Sequence, residues 1–434
     1  MFGVKNGERL NLLASMYYRY RKLIRAIQIY LILAGPGILV MVADNDAGGI
    51  TTYVATGARY HYDLIWFLIL LGPIAYFVQE MTVRLGAVTK HGHAEAIFSA
   101  FGWFWGWFSF LDLALVNWLT LITEFIGMTT AAAIFGIPPA LTVAIVILIM
   151  AFMVIQGRYW TWEKIALFFA AINLIYIPLA IYSQPRWDVV LKTGIIPHFP
   201  GGFTGTLFFF LMANIGTTIA PWMVFFQQSA VVDKGIKEKD ISFGKLDTFI
   251  GSMFTVIVAV FIIIATHTLL PDVTDVQSAA QAAQQIMEQH SRLAGALLAI
   301  GLFDAGLLGA ICISLSSSWA FGEVFGWAHS LNNKIREAPW FYGAYFFALI
   351  TAGIVVLIPG APLVLITLFV QVVAVTLLPA ALVFLILLLN NDEIMGKYKN
   401  TLLQNIISWG TVILIIILST LYGISVLFPG LFGV

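Results

Sequence analysis

The chain has 434 residues, of which 60% are hydrophobic and only 10% charged, and its 22 basic and 22 acidic residues cancel; its mean hydropathy is +0.93. No soluble domain buries that much apolar surface, so the composition excludes one and implies a polytopic helical membrane protein. Zero net charge leaves no footprint for nucleic acid, and a lone cysteine, Cys312 in an apolar run, excludes disulfides and thiolate metal clusters.

Residues 1–28 lack the short apolar region and small-residue cleavage site of a signal peptide and are expected to be a cytoplasmic N-terminal segment. Eleven apolar spans follow, at 29–57, 63–86, 104–134, 141–157, 163–183, 205–232, 246–270, 293–325, 341–358, 363–390 and 402–429. A perpendicular crossing takes about 20 residues, so the longer spans must tilt, break or extend into water. The loops read as connectors: 233–245 is a basic linker, and 271–292 is the longest polar stretch and is expected to form a short surface helix.

The first span carries the most unusual sequence, GPGILVMVADNDAGGITTY over 35–53. It places Asp44, Asn45 and Asp46 at mid-span, directly before Ala47-Gly48-Gly49. A charge at that depth costs about 2.5–3.5 kcal/mol on insertion scales and so demands a reason. The glycines weaken the helix and permit free backbone carbonyls, and carboxylates beside unwound backbone make an oxygen-rich place for a cation.

In the second span Glu80 and Arg84 stand four residues apart, the spacing of a structural ion pair. FGWFWGWF at 101–108 reads as an interfacial aromatic belt, and Asp112 and Asn117 as interhelical bonding groups. The sixth span holds a second interruption, where Gly216-Thr217-Thr218 precedes Pro221. Proline removes a donor and clashes with the turn before it, so the carbonyls of Gly216 and Thr217 need another partner, and a cation is one. Asn214 stands close to this break. Asp304, alone in the eighth span, can either attract cations in a vestibule or bond a neighbouring helix. Glycine and proline also kink membrane helices with no site attached. Two interruptions, first and sixth of eleven, nevertheless suggest two inverted five-helix repeats, 29–183 and 205–390, with a site at their interface and 402–429 as an added helix.

Topology follows from the basic residues. With the N-terminus inside, all but Arg59, Arg186, Lys192 and Arg292 of the 22 fall on the inner side, as the positive-inside rule requires. The expected protein sits in the plasma membrane with its N-terminus cytoplasmic and its C-terminus extracellular, and is a monomer.

These motifs resemble the Nramp family of divalent metal transporters. Gly35-Pro36-Gly37 stands before Asp46-Ala47-Gly48-Gly49, which is similar to the family's Asp-Pro-Gly-Asn. Gln79 to Gly86 is similar to the end of its second helix, Thr123-Glu124-Phe125-Ile126-Gly127 to its third, and Gln371-Val372-Val373 with Pro379 to its tenth. The resemblance implies the LeuT-type fold and a metal held by Asp46, by carbonyls at Gly216 and Thr217 and, in an occluded state, by Gln371, with Asp44 and Asn45 nearby. No resident cofactor is implied; the metal is cargo.

The departures bear on which metal. Gly49 replaces the family's Asn, Ala220 its sixth-helix Met, and Trp222 its His, while Leu121 replaces a third-helix Asp and leaves Glu124 alone. A thioether favours softer transition metals, and its loss leaves oxygen ligands in a roomier pocket lined by Gly49, Ala220, Trp222 and Asn214. Such a pocket suits a partly hydrated Mg²⁺, which keeps several waters, and also Mn²⁺. This pattern resembles the Nramp-related magnesium transporters. The missing His and Asp imply transport uncoupled from protons, although Glu124 and Asp304 remain as acids that can carry a proton or pair helices. The alternative is a proton-coupled Mn²⁺/Fe²⁺ importer. A sodium-coupled amino-acid symporter fits poorly with paired acids in the first break, and an enzyme would need intramembrane catalytic groups that the sequence lacks.

Overall fold

The computed structural model describes residues 34–155, 157–199 and 201–428; the N-terminal segment 1–28 and the start of the first span lie outside them. Among the described residues the chain is helical, and nine helices are long and apolar enough to cross a membrane. The shorter Pro139–Ile155 and the interrupted first span complete the eleven expected crossings.

The first span consists of α1 (Pro36–Ala43) and α2 (Ala47–Tyr60), followed by α3 (Ile65–Thr89) and α4 (His93–Ile134). The helix α4 begins eleven residues before the expected third span (93 against 104), because the chain continues through a kink at Gly102 (φ 82°). Trp103 and Phe104 beside that kink are 73% and 64% exposed, as an aromatic belt requires. Next come α5 (Pro139–Ile155) and the fifth span, α6 (Tyr159–Ile172) and α7 (Tyr176–Tyr182), joined by a 3₁₀ turn at Asn173–Ile175. The short α8 (Trp187–Gly194) leads to the sixth span, α9 (Gly205–Gly216) and α10 (Pro221–Lys234). The remainder is α11 (Ile241–Leu269), the surface helix α12 (Ala279–Gln289), α13 (Arg292–Phe325), α14 (Pro339–Val356), α15 (Leu363–Asn390), a single turn α16 (Asp392–Met395) and α17 (Leu402–Leu427).

Both interruptions fall where the sequence places them, at 44–46 and 217–220. The interrupted helices are also the most enclosed: every residue of α10 from Pro221 to Val231 is buried, as are nearly all of α1 and α2. In contrast α17 exposes most of its surface, as expected of a peripheral helix.

The entry to α1 explains the GPG sequence. Gly35 has φ 150°, and a Cβ there would lie 2.1 Å from Glu163 Oε1; at Gly37 it would lie 2.6 Å from the backbone of Thr248. Asp247 of α11 accepts the Gly35 and Gly37 N–H groups at 3.0 and 2.7 Å, satisfying donors that helix geometry leaves orphaned. Lys234, at the end of α10, donates to both Glu163 carboxylate oxygens (2.8 Å) and to the Ala34 carbonyl (2.7 Å). The side chains of this ion pair are only 1% and 2% exposed.

A second knot ties the same basic end. The expected Arg84–Glu80 pair is present at 2.8 Å, and Glu80 also meets Lys245 at 2.6 Å and accepts from Gln404. Arg84 donates to the Tyr398 carbonyl and to Asn400. Asn117 bonds Ser317 across α4 and α13 at 3.0 Å, as expected; no hydrogen bond to Asp112 is found among the described residues.

Removing one partner of a buried ion pair leaves an uncompensated charge and costs about 3–5 kcal/mol, whereas replacing both by apolar residues is often neutral. Lys234→Met should therefore lower the unfolding temperature in detergent sharply, and adding Glu163→Leu should recover most of the loss.

Candidate metal site

In a continuous helix the N–H of Ala47 would return to the Ala43 carbonyl and that of Gly49 to the Asn45 carbonyl. Side chains intercept both. Glu124 Oε2 accepts from Ala47 (2.9 Å), and Asp46 Oδ1 accepts from Gly49 (2.7 Å), making Asp46 the N-cap of α2. The carbonyls of Ala43 and Asn45 are thereby released.

The second break works in the same way. Pro221 has no N–H, so the Thr217 carbonyl loses its helical donor, and the Tyr53 hydroxyl replaces it at 3.0 Å. Ala220 N–H, which would close on the Gly216 carbonyl, donates instead to Met223 Sδ at 3.3 Å. The Gly216 carbonyl is released. Tyr53 and Met223 were not singled out in the sequence. The signal for Met223 was its place three residues after the break, the N3 position whose side chain can reach back to the N-cap.

The expected residues converge here to different degrees. A Cβ at Gly48 would lie 2.0 Å from Gln371 Nε2, and one at Gly216 would lie 2.7 Å from the Gln371 carbonyl, so α15 touches both breaks. A Cβ at Gly49 would meet Asp46 Oδ1 at 3.3 Å and Thr217 Cβ at 3.6 Å. At Gly309 of α13 it would sit 2.9 Å from both Asp46 Cβ and Glu124 Oε2, so only glycine lets α13 press against these two acids. Asp46, Glu124, Gly48, Gly49, Gly216, Thr217 and Gln371 thus form one cluster.

Asp44 is 1% exposed, and its Oδ2 has no partner among the described residues. Asn45 donates from Nδ2 to the Thr255 carbonyl of α11 at 3.2 Å, leaving Oδ1 unpartnered. Ala220 is the N-cap of α10. The carbonyl of Trp222 accepts from Ser316, and its indole packs on Phe226. Asn214, expected to line the pocket, donates from Nδ2 to Thr56 of α2 and to its own turn at Phe210, and its Oδ1 has no partner among the described residues. Asp304 lies away from the cluster and accepts from Asn173 of the fifth span at 3.2 Å.

The donor set of the cluster is oxygen-rich: the carboxylates of Asp46 and Glu124, the Gln371 amide and the released carbonyls, with the unpartnered oxygens of Asp44 and Asn45 on the adjoining residues of the first break. Its one sulfur, Met223 Sδ, is committed to a backbone N–H. Asp44, Asn45, Asp46, Thr217 and Gln371 are all at most 4% exposed, so the cluster is closed to both faces. Beside it a cavity of about 40 Å³ is lined by the hydroxyl residues Thr51, Thr123, Thr130, Ser278 and Thr367 together with apolar residues such as Ile126, Leu302 and Leu363.

Eleven crossings with the first and sixth interrupted at one shared cluster are the architecture of a secondary transporter with its site near the midplane. The chain belongs to the Nramp family: the family model "Natural resistance-associated macrophage protein-like" matches residues 37–425. It is 26% identical over 347 residues to the divalent metal cation transporter MntH of Brucella suis (75% of this chain, 73% of the relative). It is 25% identical over 410 residues to MntH of Levilactobacillus brevis (89% and 87%). Its fold matches the crystal structure of the Eremococcus coleocola manganese transporter with a TM-score of 0.76 at 23% identity, covering 92% of this chain and 87% of that one.

Met223→Leu keeps volume and apolarity, a change that usually costs under about 1.5 kcal/mol of stability. It frees Ala220 N–H to close on the Gly216 carbonyl. Divalent-ion affinity measured by calorimetry should fall about tenfold, or about 1.4 kcal/mol, with little change in unfolding temperature.

Proposed function

We propose that this member of a divalent metal cation transporter family carries Mg²⁺, and with it Mn²⁺, inward as a partly hydrated ion by alternating access without obligatory proton coupling. The observation that supports this reading is the donor set. Asp44, Asp46 and Asn45 stand beside released carbonyls, while the thioether that the family places at position 220 is absent and Met223 is occupied in holding the break open. Hard oxygen ligands suit Mg²⁺, which binds them at about 2.0–2.1 Å and keeps part of its water shell. Asp46 acts as central ligand or water acceptor, Asp44 orients the waters, the Gly216 and Thr217 carbonyls face them from the second break, and Gln371 closes the shell.

None of the seven histidines falls within either break. Glu124 is engaged through Oε2 as the cap on Ala47 N–H, a task that fixes its side chain in place. A negative-inside potential supplies about 2.3 kcal/mol per charge per 100 mV, or about 4.6 kcal/mol for a divalent ion, enough to drive uptake by itself. The protein acts as a monomer, with the basic end of the bundle facing the cytoplasm and residues 29–183 and 205–390 as its two repeats.

A second reading, proton-coupled Mn²⁺/Fe²⁺ import, draws on Glu124 and Asp46 meeting across Gly309, an acidic pair able to share a proton. The two readings differ in measurable ways. Calorimetry should show Mg²⁺ and Mn²⁺ binding to the parent and neither to Asp46→Ala, and proteoliposomes should take up Mg²⁺ with no matching internal acidification. Mn²⁺ binding with no Mg²⁺ signal, or acidification in step with entry, would sink the proposal. Ala220→Met returns a soft ligand to the pocket and should shift preference toward Mn²⁺, read as a rise in the ratio of Mn²⁺ to Mg²⁺ affinity.

A further inference from the structure

Asp304 does not face the central cluster. It lies five residues before Gly309 on α13, about 7.5 Å along the axis at 1.5 Å per residue, and about 140° around it at 100° per residue. That turn directs it to the fifth span, where Asn173 begins the 3₁₀ turn that interrupts the helix. Asn173 Nδ2 donates to Asp304 Oδ2 at 3.2 Å. Tyr176, at the start of α7, presses its ring on Gly301, one turn before Asp304; a Cβ at Gly301 would lie 2.6 Å from the Tyr176 hydroxyl.

Three oxygens here have no hydrogen-bond partner among the described residues: Asp304 Oδ1, Asn173 Oδ1 and Tyr176 Oη. All three residues are nearly or fully buried, at 4%, 0% and 0% exposure. One unpartnered polar oxygen is common enough. Two acceptors, Asp304 Oδ1 and Asn173 Oδ1, and one hydroxyl on adjoining turns of two helices, at a helix interruption, call for a shared partner, because a buried unsatisfied polar group costs about 1–3 kcal/mol. The chemistry of the three selects that partner. All are oxygens and so suit a hard cation, and among the described residues no basic side chain pairs with Asp304. A single carboxylate balances one positive charge; a divalent ion would leave an excess charge in an apolar bundle.

We propose that Asp304, Asn173 and Tyr176 form a second site, for a small monovalent cation of the Na⁺ class, which joins the fifth span to α13. The site is separate from the central cluster, and its occupancy stabilises the contact between two helices of which one, α13, also abuts Asp46 and Glu124.

The test is thermal unfolding of the purified protein in NaCl, KCl and choline chloride at equal ionic strength, for the parent, Asp304→Asn, Tyr176→Phe and Asp46→Ala. A ligand that binds the folded state raises the unfolding temperature in step with its concentration. The expected result is a saturable rise with Na⁺ over choline in the parent and in Asp46→Ala. It should be absent in Asp304→Asn and shifted to at least tenfold higher Na⁺ in Tyr176→Phe. Divalent-ion binding retained by Asp304→Asn shows that this variant is folded; should it fail to fold, Tyr176→Phe decides alone. No difference between Na⁺ and choline in the parent would overturn the proposal and assign the three oxygens to buried water. A Na⁺ effect that survives in both site variants, or disappears with Asp46→Ala, would overturn it in favour of another location.

Discussion

The structure depends on one constraint: in a bilayer every backbone polar group must find a partner inside the protein. A broken helix violates that rule at both ends of the break. This chain resolves the donor half of the problem with side chains. Glu124 takes Ala47 N–H, Asp46 takes Gly49 N–H, and Met223 takes Ala220 N–H. Of the acceptors, only the Thr217 carbonyl gains a replacement donor, Tyr53, so carbonyls released at both breaks are left beside the Asp46 and Glu124 carboxylates. A cation-binding environment is the natural consequence of satisfying every donor but only some acceptors.

That arrangement tolerates little distance between elements. Gly309 brings α13 against Asp46 and Glu124, Gly48 leaves room for the Gln371 amide, and Gly216 leaves room for the backbone of Gln371. Tyr53 binds one break to the other through the Thr217 carbonyl. The interactions that hold the breaks together are therefore also those that set the size of the space between them.

Much of this was legible in sequence, for physical reasons. Acids beside glycines at mid-span and a proline after Gly-Thr-Thr are violations of ordinary membrane-helix chemistry, and the breaks lie where those violations stand. Span boundaries were less legible: α4 runs on past the aromatic belt because Gly102 bends the chain without ending it. Side-chain direction was the least legible. Asn214 sits three residues from the break yet donates to Thr56, and of the two roles open to Asp304 the twist of α13 selects the bond to a neighbouring helix, at Asn173. Met223 carries one faint signal, its N3 place after the break, and its bond to Ala220 N–H reveals what it does. Direction depends on the phase of each helix against its neighbours, and one sequence does not carry that phase.

The Lys234 ammonium group has a mechanical consequence. It joins the last turn of α10 to the carbonyl of Ala34, immediately before α1, and to Glu163, while Asp247 holds the first turn of α1 against α11. The basic-end halves of both interrupted helices are thus fastened at their tips as well as at their shared centre. They form a rigid frame, and neither can swing alone without stripping a buried charge of its partner. Moving α1 away from α10 would strip the buried Lys234 ammonium of one acceptor, and moving either away from Glu163 or Asp247 would strip a buried charge of its partner.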